Sequence, residues 1–355
     1  MDARKDIGQR IARARRRRGL SQAVLAGLIG RSESWLSQVE RGQRKVDSHS
    51  VINALGEILG LAAHDLTTAK TDTTMRYQAA SAIRHAMMSY DGLSSLIDPR
   101  QVEGSPESFV WLRHEIRRVN RLYQATQYDE VGRRLPGLIV ATELGSRHAP
   151  AHRRRTYQTL RSLTYRCATT TLRRVGEPDL AWLAADRSLA AAEEAERPLL
   201  AAVSAYRLGY VLVRLREPDA ALGLVLRVAD ALRRSVRHGD PRSLSMLGGL
   251  YLVAVTAAAA QHDQTAVGAF LTQARRVAER LGGDRNDFWS AFGLTNVTIH
   301  EVSAAVESGD AHQAIAKAET LDVEVMAPGL VGRRAQVHLD LARAYAIQRK
   351  DAASV

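Results

Sequence analysis

The strongest constraint on the fold lies between residues 21 and 42, where two short helices must cross around a tight turn. Serine is a common N-terminal cap of helices. Ser21 and Ser32 each precede a segment whose apolar residues recur at helical spacing. Ala26, Gly30 and Leu36 follow one another at offsets of four and six residues. A small side chain lets two helices approach closely, a glycine accepts positive φ in the turn, and a large apolar side chain fills the core. The spacing therefore predicts a helix-turn-helix.

Further helices extend this motif in both directions. Upstream, Ile7, Ile11 and Ala14 recur at helical spacing before Gly19, a residue type that commonly ends helices. Downstream, a helix is expected from about Ser48. Its apolar positions are Val51, Ile52, Leu55, Ile58 and Leu59. We expect four or five short helices between residues 6 and 66, and we assign a five-helix domain to residues 1–66.

This set of residues resembles the DNA-binding domain of XRE-type regulators, the family of Cro and the phage repressors. The matching motifs are Gly19-Leu20-Ser21-Gln22, Leu25-Ala26, Gly30, Leu36-Ser37-Gln38-Val39-Glu40-Arg41-Gly42 and Leu59-Gly60-Leu61. The resemblance implies a sequence-specific transcriptional regulator that binds double-stranded DNA as a homodimer. In that family the second helix of the motif, here the third of the domain, lies in the major groove.

The resemblance also assigns roles to individual positions. It implies that Gln22 clamps a phosphate at the start of the second helix, and that the third helix presents polar side chains to base edges. Basic residues just after the third helix would contact phosphates. The residues implied to contact DNA are Gln22, Ser32, Glu33, Ser34, Trp35, Gln38, Arg41, Arg44 and Lys45.

Two further positions of this domain allow a structural interpretation. Trp35 replaces the small polar residue common at its position in the family, and it either covers a thymine methyl group or sugar or packs against the domain itself. Arg15 and Glu40 match positions where the family forms an internal ion pair between the first and third helices. We interpret this pair as structural, and the remainder of the run Arg15–Arg18 as a solvated basic face.

The rest of the chain is predicted to be a helical array. Residues 67–75 are polar and rich in threonine, which predicts a linker before a second domain over residues 76–355. A weak repeat marks the breaks between its helices, because Gly176-Glu177-Pro178-Asp179 resembles Arg216-Glu217-Pro218-Asp219 forty residues later. Looser copies of this turn place aspartates at Asp129, Asp263, Asp310 and Asp351.

These turns resemble those of a divergent tetratricopeptide array. The implied fold class is all-α: a five-helix helix-turn-helix domain followed by a right-handed superhelix of helical hairpins. The gaps between the marker aspartates run from 40 to 50 residues. They exceed the usual repeat of about 34 residues, so HEAT-like or irregular hairpins stay open.

A helix-turn-helix domain followed by such an array resembles the RRNPP regulators of Gram-positive bacteria, which bind short signalling peptides on the concave face of their repeats. The resemblance implies a sensor and dimerisation domain controlled by a signalling peptide or small molecule. Asparagines on inner helices hold the peptide in that group. The implied ligand-binding residues are Asn296, Thr295, His300, Tyr210 and Asn120. The alternative is that each is an ordinary polar contact on or between helices.

The last residues suggest an incomplete repeat. Residues 339–353 resemble the first helix and turn of a further hairpin whose second helix does not follow. Either another subunit caps the array or the chain is shorter than its relatives, and we favour a dimer in which the C-terminal domains meet.

Composition limits the remaining function classes. The chain carries 45 arginines and five lysines, with a net charge of +12. This suits a nucleic-acid partner, although GC-rich coding also gives arginine-rich, lysine-poor chains. Cys167 is the only cysteine, which excludes an intrachain disulfide and a cysteine-based zinc site. Because the sequence holds no P-loop, dinucleotide fingerprint, serine-nucleophile elbow or zinc-protease histidine pair, we expect no enzyme, no cofactor and no bound metal.

One long uncharged segment, residues 243–261, bears on the location of the protein. It is rich in small residues, so we expect a buried helix and no membrane partner. The N-terminus lacks the apolar segment of a signal peptide, and a cytoplasmic protein is expected. The alternatives to a ligand-controlled regulator are a protein-interaction scaffold built on the array and a phage- or antitoxin-type repressor without a small ligand.

Overall fold

The fold is entirely helical in the part of the chain that the structure describes. This structure is a computed structural model, and it describes residues 3–44, 46, 49–59, 78–89, 108–235, 239–321 and 329–353. These residues form helices and turns, with a single isolated β-bridge between Arg285 and Phe292. They fall into two compact units, within residues 1–77 and 78–355. The predicted all-α class is confirmed.

The N-terminal unit contains four described helices. They are α1 (Ala3–Arg17), α2 (Gln22–Leu28), α3 (Glu33–Glu40) and α4 (His49–Leu59). Their apolar faces meet in one core, and Ile11, Leu25, Leu36 and Leu55 are fully buried in it. This core contains the predicted residues Ile7, Ile11, Ala14, Val51, Leu55 and Leu59, with Ile58 packed against it, and the side chain of Ile52 lies outside the described ones. The fifth predicted helix lies outside the described residues.

Helix α1 approaches the end of α3 closely enough to require a glycine. A Cβ atom added at Gly8 would lie 2.3 Å from the carbonyl oxygen of Val39 and 2.6 Å from that of Glu40. Carbon and oxygen atoms cannot approach this closely, and the neighbouring atoms belong to the backbone. The missing side chain of Gly8 therefore allows the packing of α1 on α3.

The C-terminal unit is a series of longer helices. They are α5 (Gln78–Met88), α6 (Phe109–Gln124), α7 (Tyr128–His148), α8 (Arg154–Arg174), α9 (Pro178–Glu194), α10 (Pro198–Arg214), α11 (Pro218–Ser235), α12 (Pro241–Ala260), α13 (Gln264–Leu281), α14 (Leu294–Glu307), α15 (Ala311–Glu319) and α16 (Val331–Ala353). Short 3₁₀ helices lie at Ala151–Arg153 and Asp287–Trp289.

Contacts between these helices repeat with a period of two. From α6 to α16 each helix packs on the next one in the chain, and α5 packs on α7. In addition, α6, α8, α10, α12, α14 and α16 each contact the next helix of that series. We call this series the inner layer, and the helices between them the outer layer. This is the arrangement of stacked helical hairpins in a repeat superhelix, as the sequence predicts.

The turns from inner to outer helices share one geometry. In each turn a residue with φ between 59° and 84° is followed by a residue whose N–H donates to the carbonyl five positions earlier, at 2.9 to 3.1 Å. This hydrogen bond closes the end of the inner helix. The residues with positive φ are Thr126, Gly176, Arg216, His262 and Gly309. Five turns of equal geometry confirm the repeat that the marker aspartates predict.

The last marker aspartate does not belong to this pattern. Asp351 lies within α16, which continues from Val331 to Ala353 without the expected turn. The prediction of a further hairpin over residues 339–353 is therefore wrong, because the turn that it requires is absent. Residues 347–353, Ile-Gln-Arg-Lys-Asp-Ala-Ala, are compatible with helix throughout, and they hold neither the glycine nor the proline found at two of the other turns.

Helix α12 is the centre of the C-terminal core. It is the one described helix long and apolar enough to cross a membrane, by length and composition. Every residue from Ser243 to Val255 is buried inside the unit. The large apolar side chains of this helix pack against α10, α11, α13 and the residues before α14. The interpretation of residues 243–261 as a buried core helix is confirmed.

Candidate DNA-binding surface and ligand cavity

Helices α2 and α3 are built by the local signals that the sequence contains. The Ser21 hydroxyl accepts a hydrogen bond from the Val24 N–H at 3.1 Å and so caps α2. The Ser32 hydroxyl caps α3 in the same way, through the Trp35 N–H at 3.2 Å. Gly30 has φ of 64° in the turn between them. The helix-turn-helix geometry is therefore confirmed.

The polar side of α3 is open to solvent. Ser32, Glu33 and Ser34 are exposed at its start, and Arg41 and Arg44 are exposed after its end. Leu36 and Val39 are buried on its other side, so the helix is held by apolar packing while its polar side chains stay accessible. The sequence predicts this set for DNA contact, and the structure brings the described members together on one helix and the turn that follows.

Gln38 and Gln22 are half-buried, and Lys45 lies outside the described residues. The amide of Gln22 donates to Glu40 Oε2 at 2.6 Å, so its side chain is fixed in place. The backbone N–H groups in the first turn of α2 still offer donors to a phosphate, since the first turn of a helix leaves such groups unbonded.

A buried ion pair supports this arrangement. Arg15 Nε donates to Glu40 Oε1 at 2.6 Å and a second guanidinium nitrogen donates to Oε2 at 3.0 Å. The side chains are 10% and 6% exposed, and the interaction raises the pKa of Arg15. Arg15 also donates to the carbonyl of Leu20 at 2.8 Å. The predicted link between the first and third helices is therefore present, and it also holds Gln22.

Two predicted surface residues have structural contacts instead. Trp35 is 9% exposed and belongs to the core of the N-terminal unit, with the Arg31 guanidinium 5.7 Å from its ring centroid. The structure thus supports the packing alternative for Trp35 and not a base or sugar contact. Arg18 donates to the carbonyl of Ile58 at 2.6 Å, so the basic run is partly used to join α1 to α4.

In the C-terminal unit the inner layer surrounds a cavity of about 560 Å³. Helices α6, α8, α10, α12, α14 and α16 all contribute to it, and a residue of the loop between α13 and α14 completes its wall. Such a volume is within the usual range for small-molecule and short-peptide sites, about 300 to 1,000 Å³. The lining includes four aromatic side chains, Tyr123, Tyr128, Tyr210 and Trp289.

Three of the five predicted ligand-binding residues line this cavity. They are Asn120, Tyr210 and His300, and the Tyr210 hydroxyl lies 3.4 Å from His300 Nε2. Asn120 is 7% exposed and its side chain is already bonded, because Oδ1 accepts from Arg166 at 3.0 Å and Nδ2 donates to Ile116 O at 2.7 Å. Tyr210 and His300 are thus the more accessible of the three.

The other two predicted residues are elsewhere. Asn296 is 3% exposed and its side-chain oxygen accepts a hydrogen bond from Arg333, and the backbone N–H of Thr295 donates to Asp284 at 3.3 Å. Neither residue is part of the cavity lining. Asn296 is bonded to Arg333 of α16, a contact that its position in the sequence does not reveal, and a ligand-binding role for the two residues stays a prediction.

Arginines dominate the charge of the cavity. Five arginines line it, and Glu307 is the one carboxylate among its described lining residues. The arginines are Arg173, Arg174, Arg207, Arg214 and Arg333. Sequence reasoning missed them, because arginine is frequent in the whole chain. A signal was available in Arg207 and Arg214, which lie seven residues apart and therefore share one face of α10.

The loop between α13 and α14, residues 282–293, is held by arginine side chains. Its carbonyl oxygens at Phe288, Trp289 and Ser290 accept hydrogen bonds from arginines at 2.6, 2.9 and 3.2 Å. The donors are Arg166, Arg207 and Arg333 in that order. Burial lowers the pKa of Arg166 to about 10, so this buried group still carries its charge at neutral pH.

Burial also shifts the neutral and acidic groups of the cavity. Burial and the neighbouring Arg333 guanidinium lower the pKa of His300 to about 3, which leaves the imidazole uncharged at neutral pH. Burial raises the pKa of Tyr210, and burial with the nearby Asp340 raises the pKa of Glu307. Burial thus favours the neutral forms of His300, Tyr210 and Glu307.

Comparisons with known proteins agree with this description of the N-terminal unit. Residues 6–69 match the family described as a helix-turn-helix domain. The HTH-type transcriptional regulator y4dJ of Sinorhizobium fredii is 36% identical over 73 residues, which cover 21% of this chain and 94% of that protein. The similarity to this relative thus concerns about a fifth of this chain.

Two solved structures were also matched along the chain. One is Bacillus thuringiensis PlcR in complex with the peptide PapR7 and DNA, at 12% identity and a TM-score of 0.34, covering 99% of this chain and 99% of PlcR. The other is the apo form of the competence regulator ComR from Streptococcus vestibularis, also at 12% identity and a TM-score of 0.34, covering 95% and 99%.

The capped helices α2 and α3, the turn at Gly30 and the Arg15–Glu40 pair agree with the family match and with the relative from Sinorhizobium fredii. This chain belongs to the helix-turn-helix transcriptional regulators of the XRE type.

Proposed function

We propose that the chain is a dimeric, sequence-specific regulator whose affinity for its operator changes when a peptide or small molecule occupies the cavity of the inner layer. In this proposal residues 1–66 are the DNA-binding domain, residues 67–75 the linker and residues 76–355 the sensor and dimerisation domain. The protein acts by binding and not by catalysis, and it acts in the cytoplasm, where the chromosome is accessible.

The observation that carries DNA binding is the exposed polar side of α3 on a firmly packed helix. Gln38 has the side chain that can bond adenine through two hydrogen bonds, and Glu33 can accept from the amino group of cytosine. Arg41 and Arg44 are exposed directly after α3, where they can neutralise phosphates. The caps of both helices and the Glu40 hydrogen bonds hold this surface in one conformation.

Dimerisation follows from the small size of the recognition surface. Helix α3 has eight residues, and such a helix reads only a few base pairs. Regulators with this motif gain specificity by placing two copies on half-sites about one helical turn of DNA apart. We therefore expect an operator with inverted repeats and a complex that holds two copies of the chain.

Substitution of the two glutamines tests the proposed surface. The operator is first identified by chromatin immunoprecipitation with sequencing, and binding is then measured by fluorescence anisotropy at fixed salt. Gln38→Ala should weaken binding by about tenfold or more, because it removes a base contact worth about 1 to 3 kcal/mol. Gln22→Ala should also weaken binding, because it removes the side chain implied to clamp a phosphate together with its hydrogen bond to Glu40. Gln273→Ala, an exposed glutamine on α13, is the matched control and should bind as the parent does.

Two outcomes would contradict the proposal. If both glutamine variants bind the operator like the parent protein, the assigned surface is wrong. If no genomic sites are enriched and a stoichiometric protein partner co-purifies, the chain is an interaction scaffold. Sedimentation of the protein with its operator measures the number of copies bound, and a single copy would exclude the dimer.

A further inference from the structure

The structure assigns a ligand class to the cavity: we infer that it binds a small molecule or short peptide with at least two anionic groups. This inference rests on the proposed function for its regulatory meaning, but the binding itself can be measured without DNA. Carboxylates and phosphates share the chemistry that guanidinium groups recognise, since both accept paired hydrogen bonds from the planar fork.

The first argument is the contrast between the cavity and the contacts that join inner to outer helices. Arginines that join neighbouring helices away from the cavity are matched with carboxylates, as in Arg134–Glu115 at 2.8 Å, Arg161–Glu143 at 2.8 Å and Arg275–Glu301 at 2.6 Å. The cavity instead has five arginines and one glutamate among its described lining residues. The fold therefore supplies counter-charges elsewhere and leaves the cavity with an excess of positive charge.

The second argument comes from the partners of individual arginines. Arg207 donates to the carbonyl of Trp289, and its Nε is buried without a hydrogen-bond partner among the described residues. Arg173 lies over the Tyr210 ring, 5.4 Å from the centroid, and Arg214 is exposed at the rim. None of these three forms an ion pair with a carboxylate in the described part of the chain.

A third argument is the positive charge behind the wall of the cavity. Arg166 is 2% exposed, and its guanidinium donates to the carbonyl of Phe288 and the amide oxygen of Asn120 and lies beside the Cys167 thiol. No carboxylate of the described residues pairs with it. A buried cation without a counter-ion raises the local electrostatic potential, because the surroundings screen it weakly. An anion in the cavity would offset this potential, whereas a cationic ligand would add to it.

The lining also limits the rest of the ligand. Tyrosine rings and Trp289 provide flat apolar surface beside the guanidinium groups, and Tyr123 and Tyr128 form an edge-to-face pair with centroids 5.6 Å apart. A cavity of about 560 Å³ accepts a short acidic peptide or an organic polyacid and excludes a folded macromolecule. The ligand is thus small, multiply anionic and partly apolar or planar.

Isothermal titration of the full chain with defined probes tests this inference. The probes are triglutamate, inorganic pyrophosphate and, as the neutral comparison, triglutamine with an acetylated N-terminus and an amidated C-terminus. We expect at least one of the two anions to bind about tenfold or more tightly than the neutral peptide, and binding to weaken with added salt. The two anions distinguish carboxylate from phosphate recognition.

Substitutions place the binding in the cavity. The variant R173Q/R214Q should bind the favoured anion about tenfold or more weakly than the parent does. The variant R173K/R214K keeps the charge and should bind this anion more tightly than R173Q/R214Q does. The matched control R234Q/R276Q removes two exposed arginines from α11 and α13 and should bind like the parent. Circular dichroism confirms that each variant is folded.

The results separate this inference from the proposed function. Equal binding of all three probes, or equal loss in R173Q/R214Q and R234Q/R276Q, overturns the anionic ligand even when the operator is bound normally. Anion binding that is lost in R173Q/R214Q supports the inference whatever the effect on operator affinity. If the occupied protein then binds its operator as the free protein does, ligand control fails and the binding site stands.

Discussion

At the scale of single residues, the carboxylate of Glu40 joins three parts of the DNA-binding unit. It accepts hydrogen bonds from Arg15 and from Gln22 while it is almost completely buried. Glu40→Gln leaves the Arg15 guanidinium buried without a counter-charge. We expect the free energy of unfolding of the N-terminal unit to fall by about 3 kcal/mol. Hydrogen exchange of the α1 and α3 amides in the full chain measures this change.

The matched control for this prediction is a carboxylate on the same helix. Glu33 is exposed at the start of α3, and Glu33→Gln should change the stability by less than about 0.5 kcal/mol. Equal hydrogen-exchange protection in the two variants would show that the ion pair is not what holds α1 and α3 together.

Residue roles could be predicted where they depend on local spacing. The caps, the turn glycine and the Arg15–Glu40 pair all belong to one contiguous motif, so the sequence contains the information that places them. The burial of Trp35 and the covering of Asn296 depend on neighbours that come from other helices. Those contacts require the packed structure, and this is why the sequence left a packing role and a binding role open for both residues.

At the scale of elements, the loop between α13 and α14 has an unusual backbone. Phe288, Trp289 and Ala291 have φ of 49°, 62° and 51°, values that are unfavourable for residues with a side chain. The loop is fixed by arginine hydrogen bonds to its carbonyls and by Phe292, which is fully buried. A Cβ atom at Gly248 would lie 1.8 Å from the ring of Phe292, so this contact requires the glycine.

Substitution of alanine by glycine measures the strain in this loop. Ala291→Gly should leave the free energy of unfolding unchanged or raise it by up to about 1 kcal/mol, because glycine accepts positive φ. Ala190→Gly, at an exposed position within α9, should lower it by about 1 kcal/mol. Denaturant unfolding of the full chain compares the two. An equal loss in both variants would show that the backbone at Ala291 is unstrained.

The repeat of helical hairpins could be predicted from sequence, but this loop could not. Each hairpin turn is encoded by a few neighbouring residues, and the same turn recurs along the chain. The conformation of the loop is imposed by contacts with α8, α10, α12 and α16, which are far away in sequence. The turn predicted near Asp351 is absent, although the sequence there resembles the other turns. Helix α16 continues through this position.

At the scale of the whole molecule, the arginines behind the net charge of +12 have two different structural roles. Some arginines stabilise the array by pairing with carboxylates, and others surround the cavity without such partners among the described residues. Composition predicts only the total. The distinction between paired and unpaired arginines follows from which helices face each other, and this is why coding bias and ligand binding could not be separated in the sequence.

The response of stability to acid tests the electrostatics of the cavity as a whole. His300 packs beside Tyr210 and Arg333, and its pKa is lowered to about 3 by burial and by the guanidinium. The unfolded chain has an ordinary histidine pKa of about 6.5, so below this pH the unfolded state binds one more proton than the folded state. Acidification therefore destabilises the folded protein in the window from pH 6.5 down to pH 3.

For one such histidine, the free energy of unfolding falls by about 1.4 kcal/mol between pH 7.5 and pH 5.5. Carboxylates titrate mainly below this range, so His300→Gln should flatten the curve of unfolding free energy against pH by about that amount. His312→Gln, which replaces an exposed histidine on α15, should leave the curve as it is in the parent. Urea unfolding of the full chain at a series of pH values gives all three curves. If His300→Gln keeps the parent slope between pH 7.5 and pH 5.5, the pKa of His300 in the folded protein is the same as in the unfolded chain, and the lowering of this pKa by burial and by Arg333 is wrong.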